Sequence, residues 1–142
     1  MHPRDDSTSD LLMAVAHSMR RAFGAALEEY DVTPSQARAL RVATALTPEE
    51  EPPRLSVLAE RLRIAPRSAT EVVDALEERG LVERRPDPAD RRAALVAATD
   101  DGRRLQVLLS EARRASTDDF LSVLSPEDRA ELDRILRLLL ED

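Results

Sequence analysis

The chain has 142 residues, a length that fits one domain or one subunit of an oligomer. It has no cysteine, which excludes disulfide bonds and thiol redox chemistry, and its two histidines are too few to build a metal site. We find neither an apolar run long enough to span a membrane nor an apolar signal region near Met1. We therefore expect a cytoplasmic protein with no membrane partner and no cofactor.

The charge of the chain is unevenly distributed. The net charge is −7, and all 21 basic residues are arginine. Residues 54–104 hold 11 arginines against 10 acidic residues, which gives +1, and the remainder holds 10 against 18, which gives −8. The acidity therefore lies outside the central stretch, and we expect any binding of nucleic acid to be sensitive to salt.

A long apolar stripe near the N-terminus predicts a first helix over residues 9–30, with Ser9 as its N-cap. The stripe runs over about six turns. Its members are Leu12, Val15, Ala16, Met19, Phe23, Ala26, Leu27 and Tyr30. Because so long a stripe needs a partner surface, we interpret this helix as part of a homodimer interface.

The second helix begins at a capping sequence. Thr33 is the cap, Pro34 takes the first helical position, and Gln36 reaches back to complete a capping box. The predicted buried positions are Ala37, Leu40, Ala43, Ala45 and Leu46. The acidic, proline-rich residues 47–53 predict a loop, and residues 54–55 predict a very short strand.

Two short helical patterns follow, separated by only three residues. The first has Ser56 as its predicted N-cap and an apolar face of Leu55, Leu58, Ala59 and Leu62. The second begins at Pro66, ends at Gly80 and buries Ala69, Val72, Val73 and Leu76. A three-residue turn between two helices is typical of a helix-turn-helix.

Polar residues at the start of the second of these helices point away from its apolar face. Arg67 can pair with a guanine edge or a phosphate, and Ser68 and Thr70 can bond to either. The predicted DNA contacts on this helix are Pro66, Arg67, Ser68, Thr70 and Glu71. The alternative is the solvated surface of an ordinary helical domain.

A hairpin pattern comes next, with strands at residues 81–85 and 93–98 and a connection at 86–92 that is rich in turn formers. Arginines at a hairpin tip have little structural use, but beside a duplex one can enter the minor groove. We assign this role to Arg91, with Asp90 orienting it through a charge-assisted hydrogen bond.

Three further arginines of the hairpin are predicted DNA contacts. Arg92 would contact phosphate or brace the hairpin, and either Arg84 or Arg85, on the first strand, would reach a backbone phosphate. The alternative is a surface turn whose charges only keep the chain soluble.

Two helices close the chain. Thr99 caps the first, with Asp100 and Asp101 at its positive end, and Ser125 with Pro126 starts the second. Together with the first helix they carry more apolar surface than one small domain needs, so we expect an intertwined homodimer. The alternative is a monomeric bundle in which all of these stripes are internal.

The central stretch resembles the MarR family of bacterial transcription regulators. The matching segments are LAERL at 58–62, VDALEERGLV at 73–82 and DPADRR at 87–92, followed by Thr99 and Gly102. The chain departs from the common pattern at Arg63, where glycine is usual, at Ala65, where a serine-like cap is usual, and at Ala98, where leucine is usual.

The resemblance implies a mainly α fold with a small antiparallel β-wing, a winged helix-turn-helix, whose N- and C-terminal helices form a homodimer interface. The chain would be one domain over 1–142, with a DNA-binding unit at 33–102 and dimerisation helices at 9–30 and 103–142. Two-fold symmetry then predicts a palindromic operator with half-sites about 10 bp apart. Members of this family commonly bind a small, often anionic and aromatic ligand between the dimer helices and the winged unit.

The predicted function is therefore a sequence-specific regulator that binds double-stranded DNA as a homodimer and acts as a ligand-responsive repressor. The alternative is a winged-helix protein-interaction module, which the net charge of −7 favours. We expect no enzymatic activity, because there is no glycine-rich phosphate loop, cysteine nucleophile or G-x-S-x-G motif. The effector is unknown; His17, Arg20 and Arg38 are candidates for a polar pocket or ordinary surface residues.

Overall fold

The computed structural model describes residues 6–45 and 49–141 and, within them, contains six helices and one two-stranded antiparallel sheet. The helices are α1 (Thr8–Glu28), α2 (Pro34–Thr44), α3 (Leu55–Leu62), α4 (Pro66–Glu78), α5 (Asp100–Phe120) and α6 (Pro126–Leu140). The strands are β1 (Val82–Asp87) and β2 (Asp90–Ala98). The predicted winged helix-turn-helix fold is confirmed.

Three of the predicted helix starts are confirmed by their capping bonds. The backbone N–H of Gln36 donates to Thr33 Oγ1 at 3.1 Å, and the N–H of Thr33 donates to Gln36 Oε1 at 3.3 Å. Thr99 caps α5 and Ser125 caps α6 through bonds of 3.0 Å and 3.1 Å. These starts are encoded locally, because cap and bonded N–H lie three residues apart.

The predicted start of α1 is wrong. Its N-cap is Ser7 rather than Ser9, because Asp10 forms a reciprocal capping box with Ser7, at 3.1 Å and 3.2 Å. The helix also ends at Glu28, two residues before the predicted end at Tyr30. Tyr30 nevertheless packs against the core from the connection to α2.

The predicted cap of α3 is also wrong. The helix begins at Leu55, so Ser56 lies inside its first turn, and the N-cap Arg54 makes no side-chain capping bond. Arg54 forms an isolated antiparallel bridge with Leu95, which confirms that a very short strand joins the sheet here. This pairing fixes the backbone before α3 and sets where the helix begins.

The core forms where α2, α3, α4 and the sheet meet. Leu40, Leu58, Val73 and Val96 are essentially inaccessible to solvent and belong to one apolar cluster. Ala45 was predicted to be buried but is exposed, because it follows the last residue of α2. Leu46 and part of the predicted loop, residues 47–48, lie outside the described residues.

The hairpin of β1 and β2, hereafter the wing, is tightly packed against the start of α5. Thr99 donates from its N–H to the Leu81 carbonyl at 3.1 Å and from its hydroxyl to the Gly80 carbonyl at 2.6 Å. Gly102 is buried against the same backbone, and a Cβ atom on it would overlap the carbonyl oxygen of Leu81. The absence of a side chain at Gly102 therefore lets α5 start directly against the wing.

Large apolar side chains are exposed at both ends of the chain. They are Leu11, Leu12, Met13 and Val15 on α1, and Ile135, Leu136, Leu138, Leu139 and Leu140 on α6. The C-terminal half of α1 packs against α5, whereas α6, every residue of which is described, buries none of its residues. A single chain thus leaves two apolar faces in contact with water.

Candidate nucleic-acid interface

The turn between α3 and α4 has the backbone that a helix-turn-helix requires. Arg63 adopts the left-handed conformation (φ 55°, ψ 44°) and closes α3 by donating to carbonyls of its last turn. Ile64 packs into the core, and Ala65 precedes α4 without a side-chain cap. Two of the three departures from the family pattern, Arg63 and Ala65, thus lie where glycine would remove strain and serine would add a bond.

The start of α4 presents the predicted contact residues. Its inner face is anchored by Ala69, Val73 and Leu76, which are buried. Pro66, Arg67, Ser68 and Glu71 are exposed, whereas Thr70 is half-buried and its hydroxyl donates to the Pro66 carbonyl at 3.0 Å. Within the described residues, Arg67 and Glu71 have no hydrogen-bond or ion-pair partner.

The wing folds back towards this end of α4. A cleft of about 350 Å³ separates the two elements and is lined by Pro66 and Thr70 on one side and Asp90 and Arg92 on the other. The structure thus places two of the predicted helix residues, Pro66 and Thr70, in one cleft with two of the predicted hairpin residues, Asp90 and Arg92.

The hairpin tip differs in detail from the prediction. The strands extend further than predicted, so only residues 88–89 form the turn. The register shifts after the pair of Pro86 and Ala94, because Asp87 pairs with Asp90. The intervening residues 91–93 form an irregular segment of β2, and Arg91 and Arg92 are exposed on it.

The predicted hydrogen bond from Arg91 to Asp90 is not present. Asp90 Oδ1 instead accepts from the backbone N–H of Arg92 at 3.0 Å, which shapes the turn. An aspartate carboxylate readily accepts from the backbone N–H two residues later, more readily than from a long arginine side chain that points outward. Within the described part of the chain, the Arg91 guanidinium has no partner.

Arg84 links the wing to α4. Its guanidinium lies 2.5 Å from Asp74 and 2.8 Å from Glu77, and its backbone N–H donates to Glu77 at 2.8 Å. Burial, the largest single influence, lowers the pKa of Arg84, but the hydrogen bonds to Asp74 and Glu77 together raise it above its ordinary value. Arg84 therefore braces the wing through carboxylates that face it from one side of α4.

Arg85 is engaged within its own strand. Its Nε and Nη2 atoms donate to Glu83 at 2.8 Å and 2.6 Å, and both side chains are about half exposed. Both arginines of β1, Arg84 and Arg85, are thus paired, in contrast to Arg91. Sequence reasoning missed the Arg84 pairings because they depend on how β1 lies over α4.

A second ion pair anchors the far end of the wing. Arg54 Nε lies 2.5 Å from Asp87 Oδ2, and Asp87 Oδ1 accepts from the Ala89 N–H at 2.9 Å. The Asp87 side chain is only 2% exposed, whereas that of Arg54 is 44% exposed. Sequence reasoning assigned the orienting role to Asp90 and missed Asp87, although Asp87 precedes a proline as residues that start turns often do.

A separate cleft of about 470 Å³ lies between α1, α2 and α5. Four arginines line it, together with an apolar floor: Arg20, Arg38, Arg41, Arg113, Phe23, Leu27 and Leu109. Arg113 lies over the ring of Phe23, and Arg38 Nη2 donates to the Leu62 carbonyl at 2.9 Å. Of the three predicted pocket candidates, Arg20 and Arg38 line this cleft and His17 does not.

Among the described residues, no group of three or more histidine, aspartate or glutamate side chains is arranged to hold a metal ion. No helix in the described ranges is both long and apolar enough to cross a membrane.

Comparison with known proteins agrees with this geometry. The model of the MarR family matches residues 32–94. An uncharacterised HTH-type transcriptional regulator of Mycobacterium leprae is 34% identical over 84 residues, which cover 59% of this chain and 59% of that protein. The chain thus matches only a little over half the length of this relative. The HTH-type transcriptional repressor MdtR of Bacillus subtilis is 28% identical over 131 residues, 90% of this chain and 82% of the repressor.

Two solved structures from Rhodococcus are similar over nearly the whole chain. A MarR family transcriptional regulator of Rhodococcus sp. RHA1 is 26% identical, with a TM-score of 0.78 and coverage of 98% of this chain and 96% of that one. CouR of Rhodococcus jostii RHA1, solved with p-coumaroyl-CoA bound, is 27% identical, with a TM-score of 0.74 and coverage of 98% and 95%. The helix-turn-helix and the wing at residues 32–94 thus match the MarR family, and the whole chain is similar in fold to regulators of that family.

Proposed function

We propose that this protein is a transcriptional regulator that binds double-stranded DNA sequence-specifically as a cytoplasmic homodimer and acts as a ligand-responsive repressor. The DNA-binding unit is residues 33–102, and residues 9–30 and 103–142 form the dimer interface. Arg67, Ser68, Thr70 and Glu71 face the major groove, beside Pro66. Arg91 enters the minor groove, Arg92 contacts phosphate, and Arg85 reaches a backbone phosphate from the first strand. Arg84, paired with Asp74 and Glu77, supports the wing.

The observation that carries this proposal is the pairing pattern of the arginines. Arg67 on α4 and Arg91 on the wing are exposed and, within the described residues, unpaired, whereas Arg54 and Arg84 hold the wing in place through acidic partners. Guanidinium groups that are carried on a held backbone and are free to donate suit guanine edges and the narrow minor groove. An enzyme is not supported, because the family consists of transcriptional regulators.

The exposed apolar faces of α1 and α6 support a homodimer. Surface leucines as numerous as those of α6 are rare on monomeric proteins and mark interaction surfaces. A two-fold interface of this kind places two winged units on one face of a duplex, with half-sites about one helical turn apart.

In vitro selection from a pool of random duplexes tests the function directly. We expect the full chain to enrich a palindrome whose half-sites are centred about 10 bp apart. Sedimentation equilibrium should give two chains per selected duplex. Failure to enrich any sequence would contradict the proposal and favour a protein-interaction module.

The arginine-lined cleft is the proposed effector site. Four guanidinium groups around Phe23, Leu27 and Leu109 suit a molecule that has an anionic group on an aromatic or other apolar body. The related CouR was solved with such a compound, p-coumaroyl-CoA. Arg38 connects the cleft to the DNA-binding unit, because it also bonds the carbonyl of Leu62 at the end of α3.

An effector releases DNA only if it binds the DNA-free dimer more tightly than the bound one. Calorimetry with p-coumarate and p-coumaroyl-CoA, with and without the selected duplex, tests this coupling. We expect at least one anionic aromatic compound to bind, and Arg113→Ala to weaken it. Binding that is equal with and without DNA would contradict a regulatory role for this cleft.

A further inference from the structure

The outer face of α4, which we propose meets DNA, carries three acidic residues although DNA repels negative charge. Arg67 is followed on this face by Glu71, Asp74 and Glu78, at intervals of three and four residues. Each carboxylate that enters a major groove is repelled by the phosphates on either side. An acidic residue that faces DNA therefore weakens binding unless it is neutralised or meets a hydrogen-bond donor.

Two of these three carboxylates are accounted for by their position. Asp74 lies 2.5 Å from the guanidinium of Arg84 and is neutralised by it. Glu78 is the last residue of α4, at the end remote from Arg67, and it lines a cleft beside Thr33 and Arg79. Neither carboxylate needs a donor on the DNA.

Glu71 differs from both. It is exposed one helical turn beyond Arg67 and, within residues 6–45 and 49–141, its side-chain carboxylate has neither a hydrogen bond nor an ion pair. Arg67 is four residues away, a spacing that permits a salt bridge, yet the two side chains are not paired. Arg67, a hydrogen-bond donor, and Glu71, an acceptor, thus lie unpaired on one face of α4, about 6 Å apart along the helix axis.

The chemistry of the major groove limits what an ionised carboxylate can meet. The only base donors there are the N4 amino group of cytosine and the N6 amino group of adenine. Adenine N6 lies beside the acceptor N7, which repels a carboxylate, whereas cytosine N4 lies beside a C–H. Cytosine is therefore the base that best compensates a negatively charged side chain that DNA covers at this position.

We infer that Glu71 is a specificity-determining residue that accepts a hydrogen bond from the N4 amino group of one cytosine in each half-site. This inference rests on the proposed function and names the base that one side chain reads. Glu71 also weakens binding to every site that lacks this cytosine, because its charge is then desolvated without a partner. It therefore acts by penalising wrong sequences as much as by binding the right one.

The experiment is in vitro selection with the full-length wild type, Glu71→Gln and Glu71→Ala, with Glu78→Gln as a control that removes the same charge on the same helix. We expect the wild type and Glu78→Gln to require cytosine at one position of each half-site. Glu71→Gln should select adenine there, because a glutamine amide bonds adenine N6 and N7 together. Glu71→Ala should lose the preference at that position alone.

Equilibrium titrations give the size of the effect. Replacing the selected C·G pair by T·A should weaken wild-type binding about 10-fold or more and weaken Glu71→Ala binding less than about 2-fold. If the wild type selects a site and the Glu71 variants select the same base at every position, the inference is overturned while the proposed function stands. If the wild type selects no site, both are overturned. Circular dichroism of each variant checks that its fold is kept.

Discussion

The Nε atom of Arg54, just before α3, lies 2.5 Å from Oδ2 of Asp87 at the far end of β1. This pair joins the tip of the wing to the helix-turn-helix across 32 intervening positions of the chain. Because the Asp87 side chain is almost fully buried, its charge depends on Arg54 for compensation. The wing is thereby held in one orientation before any DNA is bound.

Replacing Asp87 should loosen the wing. Asp87→Ala removes both the ion pair and the acceptor for the Ala89 N–H, and we expect a loss of about 1–3 kcal/mol in the free energy of unfolding. Asp87→Asn keeps the acceptor and should lose less. Urea denaturation gives both values, with the exposed Asp90→Ala as control; equal losses for Asp87→Ala and Asp90→Ala would argue against the anchoring role.

The Arg84 brace should affect DNA affinity more than stability. Arg84→Met removes the contacts to Asp74 and Glu77, so the wing and α4 are no longer held as one body. We expect about a 10-fold loss of affinity for the selected duplex, since such positioning contacts typically contribute one to two kcal/mol. Anisotropy titration measures this, and Arg104→Met, whose partner Asp101 lies on the same helix, is the control.

The contribution of Arg84 to DNA affinity should also stay constant as the pH rises from neutral to mildly alkaline. Since the folded-state pKa of Arg84 is raised, its contribution is present below the ordinary pKa of arginine and is lost only as pH rises past the folded value. The affinity ratio of wild type to Arg84→Met should therefore stay constant between about pH 7 and pH 9. A ratio that falls within this range would contradict the assignment.

Two glycines should respond to alanine in opposite ways. Gly102→Ala places a Cβ against the carbonyl of Leu81, which is backbone and cannot rotate away, so we expect a loss of about 2 kcal/mol or more. Gly24→Ala meets no atom within 4 Å and lies in the middle of α1, where we expect a gain of about 0.5–1 kcal/mol. Thermal unfolding of both variants checks the predicted opposite signs.

The helix-turn-helix turn can be stabilised. Arg63→Gly relieves a left-handed conformation that non-glycine residues adopt at a cost, and we expect a gain of about 1 kcal/mol in the free energy of unfolding. Arg61→Gly, in the last turn of α3, removes the same charge and should instead destabilise by about 1 kcal/mol. Denaturant titration separates the two, and a destabilised Arg63→Gly would show that the arginine side chain itself contributes to the turn.

Arg91 should contribute to DNA affinity and not to folding. Arg91→Ala should lower affinity for the selected duplex strongly, by about 10-fold or more, because an arginine in the minor groove is lost. Helicity and dimerisation should be unchanged, since Arg91 is exposed and has no partner in the described part of the chain. Arg104→Ala, on the surface of α5, is the charge-matched control; equal affinity of the two variants would contradict the assigned role of Arg91.

Much of the fold follows from short-range patterns in the sequence. The caps Thr33, Thr99 and Ser125 each bond an N–H three residues away, and the buried face of α4 repeats with the period of a helix. Such features need no knowledge of the rest of the chain. The exception is Ser7, which competes with Ser9 as the cap of α1 and prevails through its bonds with Asp10.

The pairings within the site could not be predicted in the same way. Arg54 meets Asp87, and Arg84 meets Asp74 and Glu77, only after the wing has folded over α3 and α4. The sequence predicts which charges lie near the interface but not which of them are satisfied internally. That difference separates the bracing arginines, such as Arg84, from those without a partner in the described residues, such as Arg67 and Arg91.

The most direct test of the central claim is fluorescence anisotropy with duplexes that tile the DNA upstream of this protein's own gene. Each duplex is compared with a scrambled duplex of the same composition at several salt concentrations. We predict that one duplex binds at least about 100-fold more tightly than its scrambled version, and that affinity falls steeply as salt increases. Equally weak binding to every genuine and scrambled duplex would contradict the claim that this winged helix reads DNA sequence.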